Sequence, residues 1–300
     1  MRVELDVVES VGVVAHPGGL VVDRPDVTVG VVRAVSRLRG VEVELISRVP
    51  GDRVGPQGDR RPPVYDEGID LRFGWVDEGR VRWAVPVLGE TWHYQFPNDH
   101  FRAVFALPPL FGEVSWVVAW PQVGLGETVV VVALPERAAV ERDDVPVWTA
   151  GIGTPVVGEF ERRDAEPVLD PVDIETGVVV ASPVVLHGAG EAVVVLSRVT
   201  AIGRWLALEV LSLAKGTTAD VVAARPPGSS RPPPPRTKVA AVAVVVGSVA
   251  VTPHLVDMVS SDGSGRAEYV LPRPDGPLDL LVSWPLAGLS EVRVRVELAG

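Results

Sequence analysis

Imidazoles and a carboxylate come together locally in Trp92–His100, WHYQFPNDH, where His93 and His100 are spaced i, i+7 and Asp99 precedes the second. Two imidazoles and one carboxylate suit a zinc ion that keeps a fourth position open, and a turn at Pro97 would fold them together. Seven is not a strong metal-ligand spacing, however, and a further strand would have to supply support. A surface turn satisfies the same residues, so no metal is assigned. In DPVDIETG, Asp170, Asp173 and Glu175 offer oxygens of the kind calcium accepts. The spacing and glycine placement of an EF-hand loop are missing.

Other chemistry is excluded more simply. The chain has no Cys, which removes disulfides, thiolate metal sites and a cysteine nucleophile. It has no Gly-x-Ser-x-Gly elbow. HPGGL (His16 to Leu20) and GSGR (Gly263 to Arg266) read as turns, without the Gly-Lys-Ser/Thr and following helix of a phosphate loop. No catalytic residue and no cofactor are assigned.

Aromatic residues are concentrated: 12 of the 17 fall between Tyr65 and Trp120. With period two, Trp92, Tyr94 and Phe96 share one face of a strand, and aromatic platforms bind sugar rings. The same alternation also places aromatics in a core, where truncating one costs about 3–5 kcal/mol.

The elements that carry these residues read as strands. Valine dominates the apolar set, while 30 Gly and 28 Pro punctuate it, a bias toward strands and turns. Segments 164 residues apart repeat one another: between Phe101–Leu134 and Gly265–Leu298, 14 of 34 positions agree without a gap. The matches are shape-setting residues. Pro108 and Pro272 lack a ladder donor and end a strand, and Trp120-Pro121 and Trp284-Pro285 end the next. Gly112 and Gly124, with Gly276 and Gly288, suit turns. Between the stops, residues alternate with period two, as in Val292, Val294, Val296 and Leu298 against Glu291, Arg293, Arg295 and Glu297. Three consecutive antiparallel strands are thus expected in each half. Upstream, Arg61-Pro62-Pro63 recurs as Arg225-Pro226-Pro227, and VEVELIS (Val41 to Ser47) resembles LALEVLS (Leu206 to Ser212). Val239–Val251, VAAVAVVVGSVAV, is too short to span a bilayer as a helix and reads as one long buried strand.

One-sided strands in this number are buried by packing two antiparallel sheets. The expected fold is therefore all-β, with two tandem β-sandwiches from an internal duplication and a closed barrel per half as the alternative. Residues 1–140 form the first sandwich, 141–175 an acidic connector and 176–300 the second. Between Glu136 and Glu175 lie 11 acids and 4 Arg, much of the chain's net charge of −11. That charge repels phosphate backbones, so no nucleic-acid partner is expected. The proline-rich PPGSSRPPPPR (Pro226 to Arg236) reads as a long loop or a ligand for an SH3-like domain. The N-terminal residues lack the pattern of a signal peptide. A cytoplasmic protein with no membrane partner is expected.

At WPQVGLGETVVVVALPERAAVERDDVPVW (Trp120 to Trp148) the chain resembles uncharacterised all-β proteins of high-GC bacteria. Those carry a Trp-Pro-x-x-Gly-[Ile/Leu]-x-Glu-Thr hairpin followed by a short Ala-rich segment and Pro-x-Trp. The resemblance implies no activity. The double-sandwich layout is also broadly similar to that of arrestin-like proteins, in architecture alone.

The two copies differ in what they show outward. Copy two reads Arg266, Glu268, Asp279, Ser283, Arg293, Arg295 and Glu297, whereas copy one reads Arg102, Val104, Ser115, Ala119, Val129, Val131 and Ala133, with Val117 added. Contiguous apolar surface of that kind is normally covered, by the PERAAVERDDVPVW segment, the second domain or another chain. Val104, Val117, Ala119, Val129 and Val131 are the candidate interface. The function expected is a non-catalytic scaffold or adaptor that uses this sheet surface to hold a protein partner or itself. The alternative is a small-ligand or carbohydrate binder using Trp92, Tyr94 and Phe96, and a third reading is a metal-dependent enzyme at His93, Asp99 and His100.

Overall fold

A computed structural model of the chain describes residues 10–48, 70–87, 92–93, 100–148, 153–156, 159–165, 177–224, 238–261 and 263–299. The chain is all-β and divides into two compact units, one built on Gly12–Asp144 and the other on Val145–Glu175 and Val179–Gly300. Each is an antiparallel sandwich, and one strand plan serves both. Among the described residues no helix is long and apolar enough to cross a membrane.

The first unit contains β1 (Val13–His16), β2 (Gly19–Arg24), β3 (Val27–Arg37), β4 (Gly40–Arg48), β5 (Arg72–Asp77), β6 (Arg80–Trp83), β7 (Trp92–His93), β8 (His100–Leu107), β9 (Glu113–Trp120) and β10 (Leu125–Ala133). Helix α1 (Arg137–Asp143) follows. The large sheet has the order β1-β3-β4-β8-β7, with β2 also on β3, and the small sheet the order β10-β9-β5-β6. Their inner faces meet around Phe73, Phe105 and Trp116. Trp116 stands edge-on to Phe73, with ring centroids 5.3 Å apart.

The second unit adds β11 (Thr154–Pro155) and β12 (Glu161–Asp164), then β13 (Val178–Ala181), β14 (Val184–Ala189), β15 (Ala192–Ile202), β16 (Trp205–Ala214), α2 (Gly216–Ala223), β17 (Ala241–Val246), β18 (Val249–Thr252), β19 (His254–Ser261), β20 (Ser264–Pro272), β21 (Leu278–Trp284) and β22 (Leu289–Val296). Its large sheet runs β13-β15-β16-β20-β19 with β14 on β15, the same order as the first. Its small sheet repeats the four strands as β22-β21-β17-β18 and gains β11 beyond β22 and β12 beyond β18. The pairs β14–β15, β15–β16, β16–β20, β19–β20, β17–β18, β17–β21, β21–β22 and β11–β22 are antiparallel, and β12 runs parallel to β18. Within this unit Val11 N–H donates to Val145 C=O (2.9 Å), and Val11 and Val147 pack with Val185, Val193 and Val195.

Two expectations change. The repeated piece Arg102–Leu134 is not three neighbouring strands. β8 lies in the large sheet and only β9 and β10 form a hairpin, so the chain crosses the sandwich after Pro108; β20, β21 and β22 do the same. Val239–Val251 is not one strand but the hairpin β17–β18, turned at Gly247-Ser248 with Gly247 at φ +64°. A two-residue turn of that type matches the twist of the flanking strands and needs a residue that tolerates positive φ.

Candidate interaction site

The candidate surface is built by the hairpins the sequence repeats. Trp120 ends β9, Pro121–Val123 makes one 3-10 turn, and Gly124 reverses the chain at φ +76°. Trp284, Pro285–Ala287 and Gly288 at φ +77° do the same in the second unit. The strands after the turn have the same register. Val129 pairs with Val117 and Val131 with Ser115, as Arg293 pairs with Leu281 and Arg295 with Asp279. Val130 packs partly buried against the core and Val132 is buried in it, while Val129 and Val131 point out, 56% and 61% exposed. In the second unit the same outward positions are charged, and Arg293 donates to Asp279 Oδ2 at 2.8 Å.

The two small sheets also differ at their margins. In the second unit β11 pairs antiparallel with β22, Thr154 opposite Arg293 and Pro155 opposite Val292. Val156 and Phe160 then pack over Ala243, Ala250 and Leu281 on the outer face. β12 closes the opposite edge on β18. Residues 153–156 and 159–165 therefore sheathe that sheet. Among the described residues nothing corresponding adjoins β10, which is the outermost strand of its sheet.

The other candidate residues separate. Val117 and Ala119 are on β9 but buried. Val117 pairs with Gly74, where the Trp83 ring lies 3.1 Å from the place a Cβ would take, and the Arg72 guanidinium stands 3.8 Å from that ring. Val104 is buried as well and lies on β8, in the other sheet. The single contiguous face expected from alternation therefore reduces to Val129 and Val131. Alternation identifies which side of a strand is wet, not which sheet the strand joins.

Trp92 and His93 form β7, opposite Arg102 and Phe101 of β8, and His100 is opposite Arg48. Tyr94, Phe96 and Asp99 lie outside the described residues, as do Asp170, Asp173, Glu175 and Pro226–Arg236. Among the described residues no three His, Cys, Asp or Glu side chains gather as metal ligands would.

A polar cluster in each large sheet was not anticipated. Glu44 of β4 is wholly buried, accepts a hydrogen bond from Arg102 Nε of β8, and lies 3.1 Å from Arg33 Nε of β3. Arg33 also reaches Glu42 at 2.5 Å. The equivalent positions hold Arg198, Glu209 and Arg266. Arg198 pairs with Glu268 at 2.5 Å, Arg266 lies 4.0 Å from Glu209, and Ser197 donates to Glu209 at 2.6 Å. A bulge precedes each first arginine, between Val31 and Arg33 and between Leu196 and Arg198. It shifts the inward set from Val27, Val29 and Val31 to Ala34, which turns the arginine to the outer side of the sheet. The signal was present as one charge inside VVRAV and one inside VEVEL. Only cross-strand register brings them together. Among carboxylates and arginines buried this deeply, mutual pairing is the ordinary solution, so these clusters read as structural.

One titratable ring sits at the margin of the first core. His16 is half-buried, its centroid 5.6 Å from that of Trp116, and its Nδ1 accepts a hydrogen bond from Gly18 N–H at 3.1 Å. Burial holds its pKa below the ordinary value of 6.5.

No protein-family model matches the chain, and no curated protein is similar to it in sequence. Among solved structures it is similar to the crystal structure of the conserved domain protein from Bacillus anthracis, at 6% identity over 90% of this chain and 77% of that one, with a TM-score of 0.25. At that score the likeness bears on neither fold nor activity.

Proposed function

We propose that the chain is a non-catalytic protein-interaction scaffold whose first sandwich presents the β10 margin of its small sheet to a protein partner. One observation carries this reading. The same hairpin occurs twice, and where the second copy has Arg293 and Arg295 and a strand, β11, along its edge, the first has the exposed Val129 and Val131 and an outermost β10. Exposed apolar side chains on an edge strand favour association, and edges not meant to associate are blunted by charge or by cover. The second unit has both safeguards.

The test replaces both valines with the residues of the sister strand, Val129→Arg/Val131→Arg. The variant keeps the wild-type circular dichroism and, in dilute solution, the wild-type melting temperature, while losing proteins that the wild-type chain retains as bait in an extract of its source cells, or losing self-association. Unchanged recovery and unchanged mass together would sink the reading.

A further inference from the structure

The second unit shows how an edge of this kind is occupied, and the register shows which groups β10 offers. Thr154 is opposite Arg293, and Val156 N–H donates to Glu291 C=O at 3.4 Å. In an antiparallel ladder, residues that exchange hydrogen bonds alternate with residues that do not. Glu291 and Arg293 therefore turn their backbone N–H and C=O toward β11. Because β9–β10 and β21–β22 share one register, Glu127, Val129, Val131 and Ala133 turn theirs toward the side of β10 on which no described strand pairs. The side chains of Val129 and Val131 stand on the outer face of the same edge.

We infer that the occupant of this edge is a second copy of the chain, its β10 paired antiparallel with the first about a two-fold axis at Val130. This rests on the interaction reading above and names the partner. Charge decides it. Thr128–Leu134, TVVVVAL, contains no charged residue. In the two-fold register Val129 faces Val131 of the second copy, Val131 faces Val129, and Glu127 faces Ala133. No like charges meet, every edge N–H and C=O finds a partner, and the valines of both copies form one apolar strip. Apply the same register to β22 and Arg293 falls opposite Arg295 of the other copy, a repulsion that blocks pairing. One strand of the repeated hairpin is thus compatible with itself and the other is not. The pairing is isologous, so it closes at a dimer and joins two four-stranded sheets into one.

Because the chain has no Cys, engineered thiols report the register directly. Residues facing each other in a hydrogen-bonded pair have Cα atoms about 5.5 Å apart, within disulfide reach. Full-length protein is examined by size-exclusion chromatography with light scattering across a dilution series. The wild type has the mass of a dimer that dissociates on dilution, and Val129→Arg/Val131→Arg is monomeric, with an unchanged melt at dilutions where the wild type is also monomeric. Under mild oxidation Val129→Cys/Val131→Cys gives a covalent dimer, whereas Arg293→Cys/Arg295→Cys does not. A monomer at every concentration, a dimer indifferent to the arginines, or equal cross-linking through β22 overturns the inference. A monomeric wild type whose partner capture is still abolished by the arginines removes self-pairing alone and leaves the interaction reading standing. Loss of neither mass nor capture removes both.

Discussion

Arg33 Nε lies 3.1 Å from Oε2 of Glu44, a carboxylate with no solvent exposure, and both side chains stand on the outer side of a sheet rather than in the core between sheets. Arg102 completes the cluster from the next strand. Taking a partner away from a buried pair strands a charge, at a cost of about 3–5 kcal/mol, whereas replacing the whole set by apolar residues of similar volume is often near neutral. Glu44→Ala is therefore expected to lower urea stability by about that amount. Arg33→Met/Glu44→Leu/Arg102→Met is expected to recover most of it. Equal losses in the two variants would mean the charges are individually stabilising.

Burial separates two valines that alternation alone had grouped. Val129 is more than half exposed and Val117 wholly buried. Val129→Arg should change the stability of the monomer by no more than about 0.5 kcal/mol, as surface substitutions usually do. Val117→Arg buries an unpaired charge and should cost about 4 kcal/mol or more. Thermal melts in dilute solution compare the two. Similar losses would place Val129 in a packed environment.

The paired turns allow an internal control. Gly124 and Gly288 have nearly the same positive φ, and an added Cβ would meet nothing within 4 Å at either site. Only the backbone penalty for a left-handed L-residue remains, about 1–2 kcal/mol. Gly124→Ala and Gly288→Ala should each lose that amount, and Asn at either site less. A cost well above this at one site alone would reveal a neighbour crowding that turn.

His16 gives a pH dependence with a defined sign. Its folded pKa lies below 6.5 because burial disfavours the imidazolium. The unfolded chain therefore takes up the proton first as pH falls. The stability this residue contributes is complete above about pH 6.5 and is lost between there and the lower folded pKa. Denaturation midpoints of wild type should decline over that window, and those of His16→Asn should decline less. Parallel profiles would assign the acid-side loss to other groups.

Strands, turns and the twofold plan were legible because each leaves a local mark: period two, a proline that cannot donate, a glycine at positive φ. Sheet membership leaves none. Val104 and Val129 look alike in sequence, yet β8 and β10 belong to different sheets. Gly247-Ser248 was hidden because the valines on both sides continue one apolar run. The bulges before Arg33 and Arg198 shift the alternation by one residue, which is visible only once the neighbouring strand is in register. The cover supplied by Thr154–Pro155, Val156 and Phe160 was concealed inside a stretch whose composition reads as a connector.

Amide hydrogen exchange at the two equivalent edges tests the central claim, that β10 is an open pairing edge and β22 a closed one. Arg293 N–H, turned toward Thr154, should exchange slowly at every protein concentration. Val129 and Val131 N–H should exchange fast in dilute protein and become protected as the concentration rises. Protection of Val129 and Val131 that is already complete at high dilution would contradict the account, because the edge would then be covered within a single chain.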